Sequence, residues 1–215
     1  MHGKNKSRAV IVAGGNLTGV REFLSSLNEE VFLIAADHGV DAFIEAGKTP
    51  DLLVGDMDSA HSDWQSILCE KILLPAEKDE TDTEKAFQIA IERGFQKITL
   101  LGGIGSRMDH TLGNLEVLTD FFRQGIDVSM EDPSNVIYWV DKMHPLRIEA
   151  LPQMGVSLLP VDPVVHGVTT KGLRYPLYGE SLYKNQSRGI SNEWADERAE
   201  ISVTDGVLLA ILYKD

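Results

Sequence analysis

Between residues 8 and about 125, short apolar runs take turns with segments of helical periodicity, and this alternation limits the fold more than any other feature of the chain. "AVIVAGG", "VFLIAAD", "DLLVGD", "KILLPA" and "KITLLGG" read as strands, while 38–46, 81–93 and 110–124 carry the clearest helical patterns. Strands that are each followed by a helix need crossover connections, so the pattern predicts an α/β fold with a Rossmann-like parallel sheet. Local signals agree. Thr81 and Glu84 stand at capping-box spacing, and Gly94 and Gly125 follow the second and third helical segments.

Past residue 126 the texture changes. "DVSMED", "NVIYWVD", "GVSLLPV", "GVTTKGLRYPL", "AEISV" and "GVLLAILY" are strand-like runs separated by Pro, Gly, Asn and Asp, with no convincing helix between them. The chain of 215 residues therefore divides into an α/β domain over 1–126 and an all-β domain over 127–215. Asp-Gly in "SVTDGVL" predicts a hairpin there.

Charge and cysteine usage narrow the function classes. With 33 acidic against 20 basic residues the net charge is −13, which opposes the phosphate neutralisation that nucleic-acid binding requires. A single cysteine, Cys69, leaves no intramolecular disulfide and no multi-cysteine zinc site; it reads as a small buried hydrophobe and suits a reducing compartment. The start, "MHGKNKSR", leads into a strand without the apolar segment of a signal peptide. No apolar run reaches the roughly 18–20 residues of a membrane span, so a cytoplasmic protein is expected.

Acidic residues gather at one place in this scheme. Asp37 ends the second predicted strand, Asp56 and Asp58 the third; Asp79 and Asp82 follow the fourth, and Arg107 and Asp109 the fifth. In open α/β sheets, ligands bind in the crevice outside the carboxyl ends of the strands, so these residues converge on one rim. Carboxylates that close repel one another unless a cation lies among them, and oxygen ligands with few histidines suit a hard ion, Mg²⁺ first. Taken singly, each Asp also fits an Asx-turn or a helix cap; the coincidence of four strand ends favours the metal reading. The glycine-rich stretches "AGGN" (13–16) and "GGIGSR" (102–107) fit either tight turns or a close backbone approach to an anion. With Arg107 and a metal-binding rim they suggest a nucleotide polyphosphate and phosphoryl chemistry. No G-x-S-x-G elbow and no H-E-x-x-H is present.

These residues resemble the thiamine pyrophosphokinase family. The likeness runs through "AADHGVDAFIEAGKTPDLLVGDMDS", "EKDETDTEKA", "LGGIGSRMDHTLGN", "GVTTKGLRYPL" and "GISNEW", in the family's order and over most of the chain. It implies an α/β catalytic domain, a C-terminal β-sandwich that binds thiamine and dimerises, and a homodimer. The implied reaction moves the pyrophosphoryl group of ATP to thiamine, giving thiamine diphosphate and AMP. The resemblance puts Asp37, Asp56, Asp58 and Asp82 around Mg²⁺ and the phosphates, with Asp56, Asp58, Asp82 and Arg107 as the catalytic set. Asp79, Thr81, Lys85, Arg107, Asp109, His110 and Asn114 fall on motif positions near ATP, and Tyr175, Ser191 and Asn192 on positions that face thiamine. His38 and Ser106 stand where the family usually has Gly, and Tyr175 where it has a bulkier aromatic. Other readings of the same residues are a pyrophosphokinase for another heterocycle, such as a hydroxymethylpterin, a metal-dependent phosphohydrolase, and an inactive thiamine or nucleotide binder.

Overall fold

The computed structural model describes residues 7–27, 31–57 and 63–214. Strand β1 (Ala9–Val12) is buried at all four positions, and it runs parallel to β2 (Phe32–Ala36) on one side and to β5 (Lys97–Leu101) on the other. Beyond β2 come β3 (Leu52–Gly55) and β4 (Glu70–Leu73), and beyond β5 comes β6 (Asp127–Glu131), every pair parallel. The order β4-β3-β2-β1-β5-β6 means that the chain winds outward from β1 to β4, then returns to the far side of β1. The winding direction therefore reverses between β1 and β5, where an open α/β sheet leaves its binding crevice.

Among the described residues, four helices cover this sheet: α1 (Val20–Ser26), α2 (Val40–Glu45), α3 (Asp82–Glu92) and α4 (Met108–Arg123). Val10, Val12, Ala35 and Leu53 share a core with Leu24 of α1 and Phe43 of α2. Alternation along the strands turns their other residues toward α3 and α4, which meet through the stacked rings of Phe87 and Phe121, 5.5 Å apart. The helices expected over 38–46, 81–93 and 110–124 are α2, α3 and α4. A 3₁₀ turn, Asp37–Gly39, leads into α2. Helix α1 has no counterpart in the sequence reading.

The chain divides into two compact units, Met1–Pro133 and Ser134–Asp215, rather than at 126/127. The reason is β6. It continues the parallel sheet in register from Lys97↔Asp127 to Leu101↔Glu131, and the buried hydroxyls of Thr99 and Ser129 meet at 3.0 Å.

The second unit is all antiparallel β. One sheet contains β7 (Asn135–Val140), β13 (Leu208–Tyr213) and β9 (Gly155–Pro160), with β13 in the middle. The other contains β11 (Tyr178–Tyr183), β10 (Val164–Lys171), β12 (Arg198–Ser202) and β8 (Leu146–Glu149), in that order. Val140, Val156, Leu158, Leu208 and Ala210 of the first sheet share one core with Val165, Val168, Leu182 and Ile201 of the second, as in a sandwich. The expected Asp-Gly hairpin is corrected: β12 and β13 do not pair, and Asp205-Gly206 carries the chain from one sheet to the other.

Candidate active site

At the carboxyl edge of the first unit, the ends of β1, β2 and β5 and the segment before α3 surround a cavity of about 910 Å³. It lies where the winding reverses, as the topology requires. Two glycine-containing loops meet on its floor. Gly15 N–H donates to Gly102 O at 2.9 Å and Asn16 N–H to Ile104 O at 2.8 Å. A Cβ at Gly15 would lie 2.3 Å from Gly102 O, so only glycine permits this contact. Those two amides serve the pairing of the two loops.

The acids come from successive neighbouring strands. Asp37 opens the 3₁₀ turn after β2, Asp56 follows β3, and Asp82 is the first residue of α3. One carboxylate oxygen from each lies within 4.8 Å of the other two. Thr81 caps α3, its Oγ1 accepting Glu84 N–H at 3.1 Å, which fixes where Asp82 enters the group. Burial raises the Asp82 carboxyl above its ordinary value; Lys78 counters this, and the charges of Asp37 and Asp56 push it up again. Such crowding of half-buried carboxylates fits a hard divalent cation, Mg²⁺ in particular.

Backbone geometry marks the same place. Among the described residues, the non-glycine residues with positive φ are Asp37 at 47°, Met57 at 61° and Ser191 at 58°. Left-handed backbone is costly without glycine and persists where the surroundings hold it. Asp37 belongs to the carboxylate group and Met57 follows Asp56, while Ser191 stands at a position that the family resemblance associates with thiamine. Gly55, at φ 144°, brings Asp56 into place: a Cβ there would stand 3.1 Å from the Asp37 backbone.

Around the acids the cavity is lined by Thr81, Arg107, His110 and Asn114, while Asn114 Nδ2 donates to Gly103 O at 2.8 Å. The Arg107 guanidinium is tied to Asp109, Nη2 to Oδ2 at 2.6 Å, both side chains exposed. That hydrogen bond holds the Asp109 carboxyl down at about 2. His38 also lines the cavity. Its Nδ1 lies 2.9 Å from Oδ2 of the buried Asp41, and Gly14 makes room for it, since a Cβ there would come within 2.6 Å of the His38 Cβ.

In the second unit, Tyr175 is 56% exposed, and the Arg174 guanidinium carbon lies 5.6 Å from its ring centre. Buried Asn192 holds that tyrosine by its backbone: Oδ1 accepts Tyr175 N–H at 3.0 Å and Nδ2 donates to Tyr175 O at 2.8 Å. Ser191 N–H donates to Ser157 Oγ at 3.0 Å, and the Ser191 side chain is exposed.

Family models divide the chain the same way. Residues 23–130 match the thiamin pyrophosphokinase catalytic domain, and residues 143–208 match the thiamin pyrophosphokinase vitamin B1 binding domain. The chain belongs to the thiamin pyrophosphokinase family. It is 29% identical to the thiamine pyrophosphokinase of Bacillus subtilis (strain 168), over 95% of this chain and 98% of that protein. The crystal structure of the enzyme from Bacillus subtilis superposes with a TM-score of 0.85 at 26% identity, covering 97% of this chain and 99% of that one. That of Geobacillus thermodenitrificans gives 0.83 at 28% identity, covering 96% and 97%.

Of the positions that the family resemblance singled out, Asp37, Asp56 and Asp82 come together, and Thr81, Arg107, His110 and Asn114 line the cavity that Asp37 and Asp82 also line. Asp58 lies outside the described residues. Asp79 and Asp109 are exposed and do not line the cavity. Lys85 also lies off the lining, its Nζ donating to Gln88 Oε1 at 3.1 Å. Lys78 does line it, and the sequence reading passed it over within the acidic run "AEKDET". Its position four residues before Asp82 was the available signal.

Proposed function

We propose that the protein works as a thiamine pyrophosphokinase, transferring the pyrophosphoryl group of ATP to the hydroxyl of thiamine to give thiamine diphosphate and AMP. The observation that carries this is a three-carboxylate group at the carboxyl ends of β2 and β3 and the start of α3, in a chain that matches both the catalytic and the vitamin-binding model of one family. The vitamin-binding match also disfavours a pterin substrate and simple hydrolysis.

In this reading Asp37, Asp56 and Asp82, with Asp58, would hold Mg²⁺. When bound, the ion neutralises charge on the phosphate oxygens. The chain supplies the rest. Arg107 is a planar fork suited to phosphate oxygens, and it exchanges the Asp109 carboxylate for them when nucleotide enters. Thr81, His110 and Asn114 line the same cavity and orient the nucleotide. Tyr175 offers a flat face for the thiamine rings, Asn192 holds that face in position, and Ser191 presents its hydroxyl. The thiamine hydroxyl oxygen bonds to the β-phosphorus and gives up its proton to solvent, the bond from that phosphorus to the α,β-bridging oxygen breaks, and AMP departs with the electron pair. Little covalent work is asked of the protein; alignment and charge neutralisation provide the acceleration. The reading takes the working form as a cytoplasmic homodimer, supported by the family resemblance; a sedimentation mass of one chain would refute the dimer.

Incubation with ATP, Mg²⁺ and thiamine should release AMP only when thiamine is present. In Asp56→Asn that release should fall by more than about a hundredfold while the far-ultraviolet spectrum is kept. AMP formation that ignores thiamine, or an Asp56→Asn variant at full rate, refutes the assignment.

A further inference from the structure

The carboxylate group already holds a cation that belongs to the chain. Lys78 Nζ lies 3.3 Å from Asp56 Oδ2 and 3.1 Å from Asp82 Oδ1, and it donates to Pro75 O at 3.1 Å. The lysine side chain is only 14% exposed, and those of Asp56 and Asp82 are 15% and 18% exposed. This is no surface pair held loosely in water. The ammonium touches two of the three carboxylates that would ligate a divalent ion.

We infer that Lys78 is the resident counter-cation of the metal site, displaced when the divalent ion enters, whereupon its ammonium passes to the polyphosphate of the nucleotide. The inference rests on the assignment of Asp37, Asp56 and Asp82 as the metal site. Three half-buried carboxylates within 4.8 Å of one another repel strongly, so a site that must stand folded before its metal arrives needs a positive charge of its own. A lysine is suited to this task. Its charge is compact, its four-carbon stem is flexible, and it binds as a point charge without the fixed fork of arginine. Two positive charges on the incoming ion outcompete one at the same oxygens. The released ammonium stays in a cavity that it already lines, beside the place assigned to the phosphates, so its charge moves from ligand shell to substrate. A lysine in that position also makes loading of metal and nucleotide together more favourable than loading of metal alone.

The test reads metal binding and lysine accessibility rather than turnover. Without nucleotide, Lys78→Met should bind Mn²⁺, followed by its electron paramagnetic resonance signal, roughly tenfold more tightly than the parent protein, because a competing charge is gone. Lys78→Met should also melt earlier than the parent in chelator and recover when Mg²⁺ is added. Unchanged or weaker Mn²⁺ binding in Lys78→Met overturns the inference. In the unmutated protein, acetylation of Lys78 by acetic anhydride, mapped by mass spectrometry, should rise several-fold with Mg²⁺ alone and fall again with Mg²⁺ and a non-hydrolysable ATP analogue. Lys78 reactivity that stays flat while Mg²⁺ binds overturns it without any variant. Asp56→Asn separates the two layers. If that variant binds Mn²⁺ as tightly as the parent, the metal assignment itself fails; if it loses Mn²⁺ while Lys78→Met is unchanged, only the role of Lys78 fails.

Discussion

Tyr175 and Glu131 show how much of a residue's meaning lies in its surroundings. Tyr175 keeps over half its surface open while Asn192 clamps its backbone, the arrangement of a side chain positioned for a flat partner. Tyr175→Ala should therefore raise the thiamine KM about tenfold, the order expected for loss of one stacking face, and leave the ATP KM within about twofold. Equal effects on both constants in initial-rate kinetics would remove Tyr175 from the thiamine site. Glu131 shows the opposite situation. Burial raises its carboxyl above the ordinary value, with Ser129, Arg8 and Lys97 only partly compensating. A carboxyl raised on folding holds its proton more tightly in the native state than in the unfolded chain. Its contribution to stability is complete below the unfolded value and is lost as pH rises through the folded one. Glu131→Gln does not titrate, so in urea unfolding it should match the parent near about pH 4 and exceed it near about pH 8. A stability difference that shrinks with rising pH would contradict this.

At the scale of elements, most of the strands, the start of α3 and the ends of α3 and α4 were legible because their signals are local, while β8 and β11 were not among the runs read as strands. Runs such as "AVIV" and "LLVG" are buried along their whole length, and Thr81 caps α3 as its spacing with Glu84 suggests. Thr81→Ala should cost about 1 kcal/mol, a fall of roughly 2–4 °C in the thermal midpoint, whereas Thr81→Ser should retain most of that stability. A melt unchanged by alanine would mean that the cap does not hold the helix start. What was not legible depends on partners distant in sequence. Helix α1 has only two buried residues, Val20 and Leu24, too few to declare a stripe. The segment "DVSME" of β6 follows the last helical pattern and opens the run of strands without helices, which assigned it to the β module, yet Ser129 is buried against Thr99 of β5. Asp-Gly suggested a hairpin, but the pairing of β13 with β7 and β9 outweighs a two-residue turn preference. In the site, the three acids were legible as strand-end residues, while Lys78 was passed over: its spacing to Asp82 was visible, but its contact with Asp56, 22 positions earlier, exists only in the folded loop.

For the molecule as a whole, each unit has its own hydrophobic core, and the candidate metal and nucleotide residues lie in the first while Tyr175 and Ser191 lie in the second. Binding of nucleotide and use of thiamine are then separable by truncation. A fragment of residues 1–133 retains every strand of the parallel sheet and all three acids, so it should fold, bind Mg²⁺ and ATP, and release no thiamine-dependent AMP. A fragment ending at residue 126 has the same acids but lacks β6. That removes Val128 and Met130 from the core, strips β5 of a parallel partner over its whole length, and leaves the Thr99 hydroxyl without Ser129. Loss of buried apolar side chains and of a strand ladder together far exceeds what a single point mutation costs, and it approaches the whole stability of a domain, about 5–15 kcal/mol. Fragment 1–126 should therefore lack a cooperative melt and bind no nucleotide by calorimetry, while fragment 1–133 shows both; equal behaviour of the two fragments would mean that β6 is dispensable to the catalytic unit.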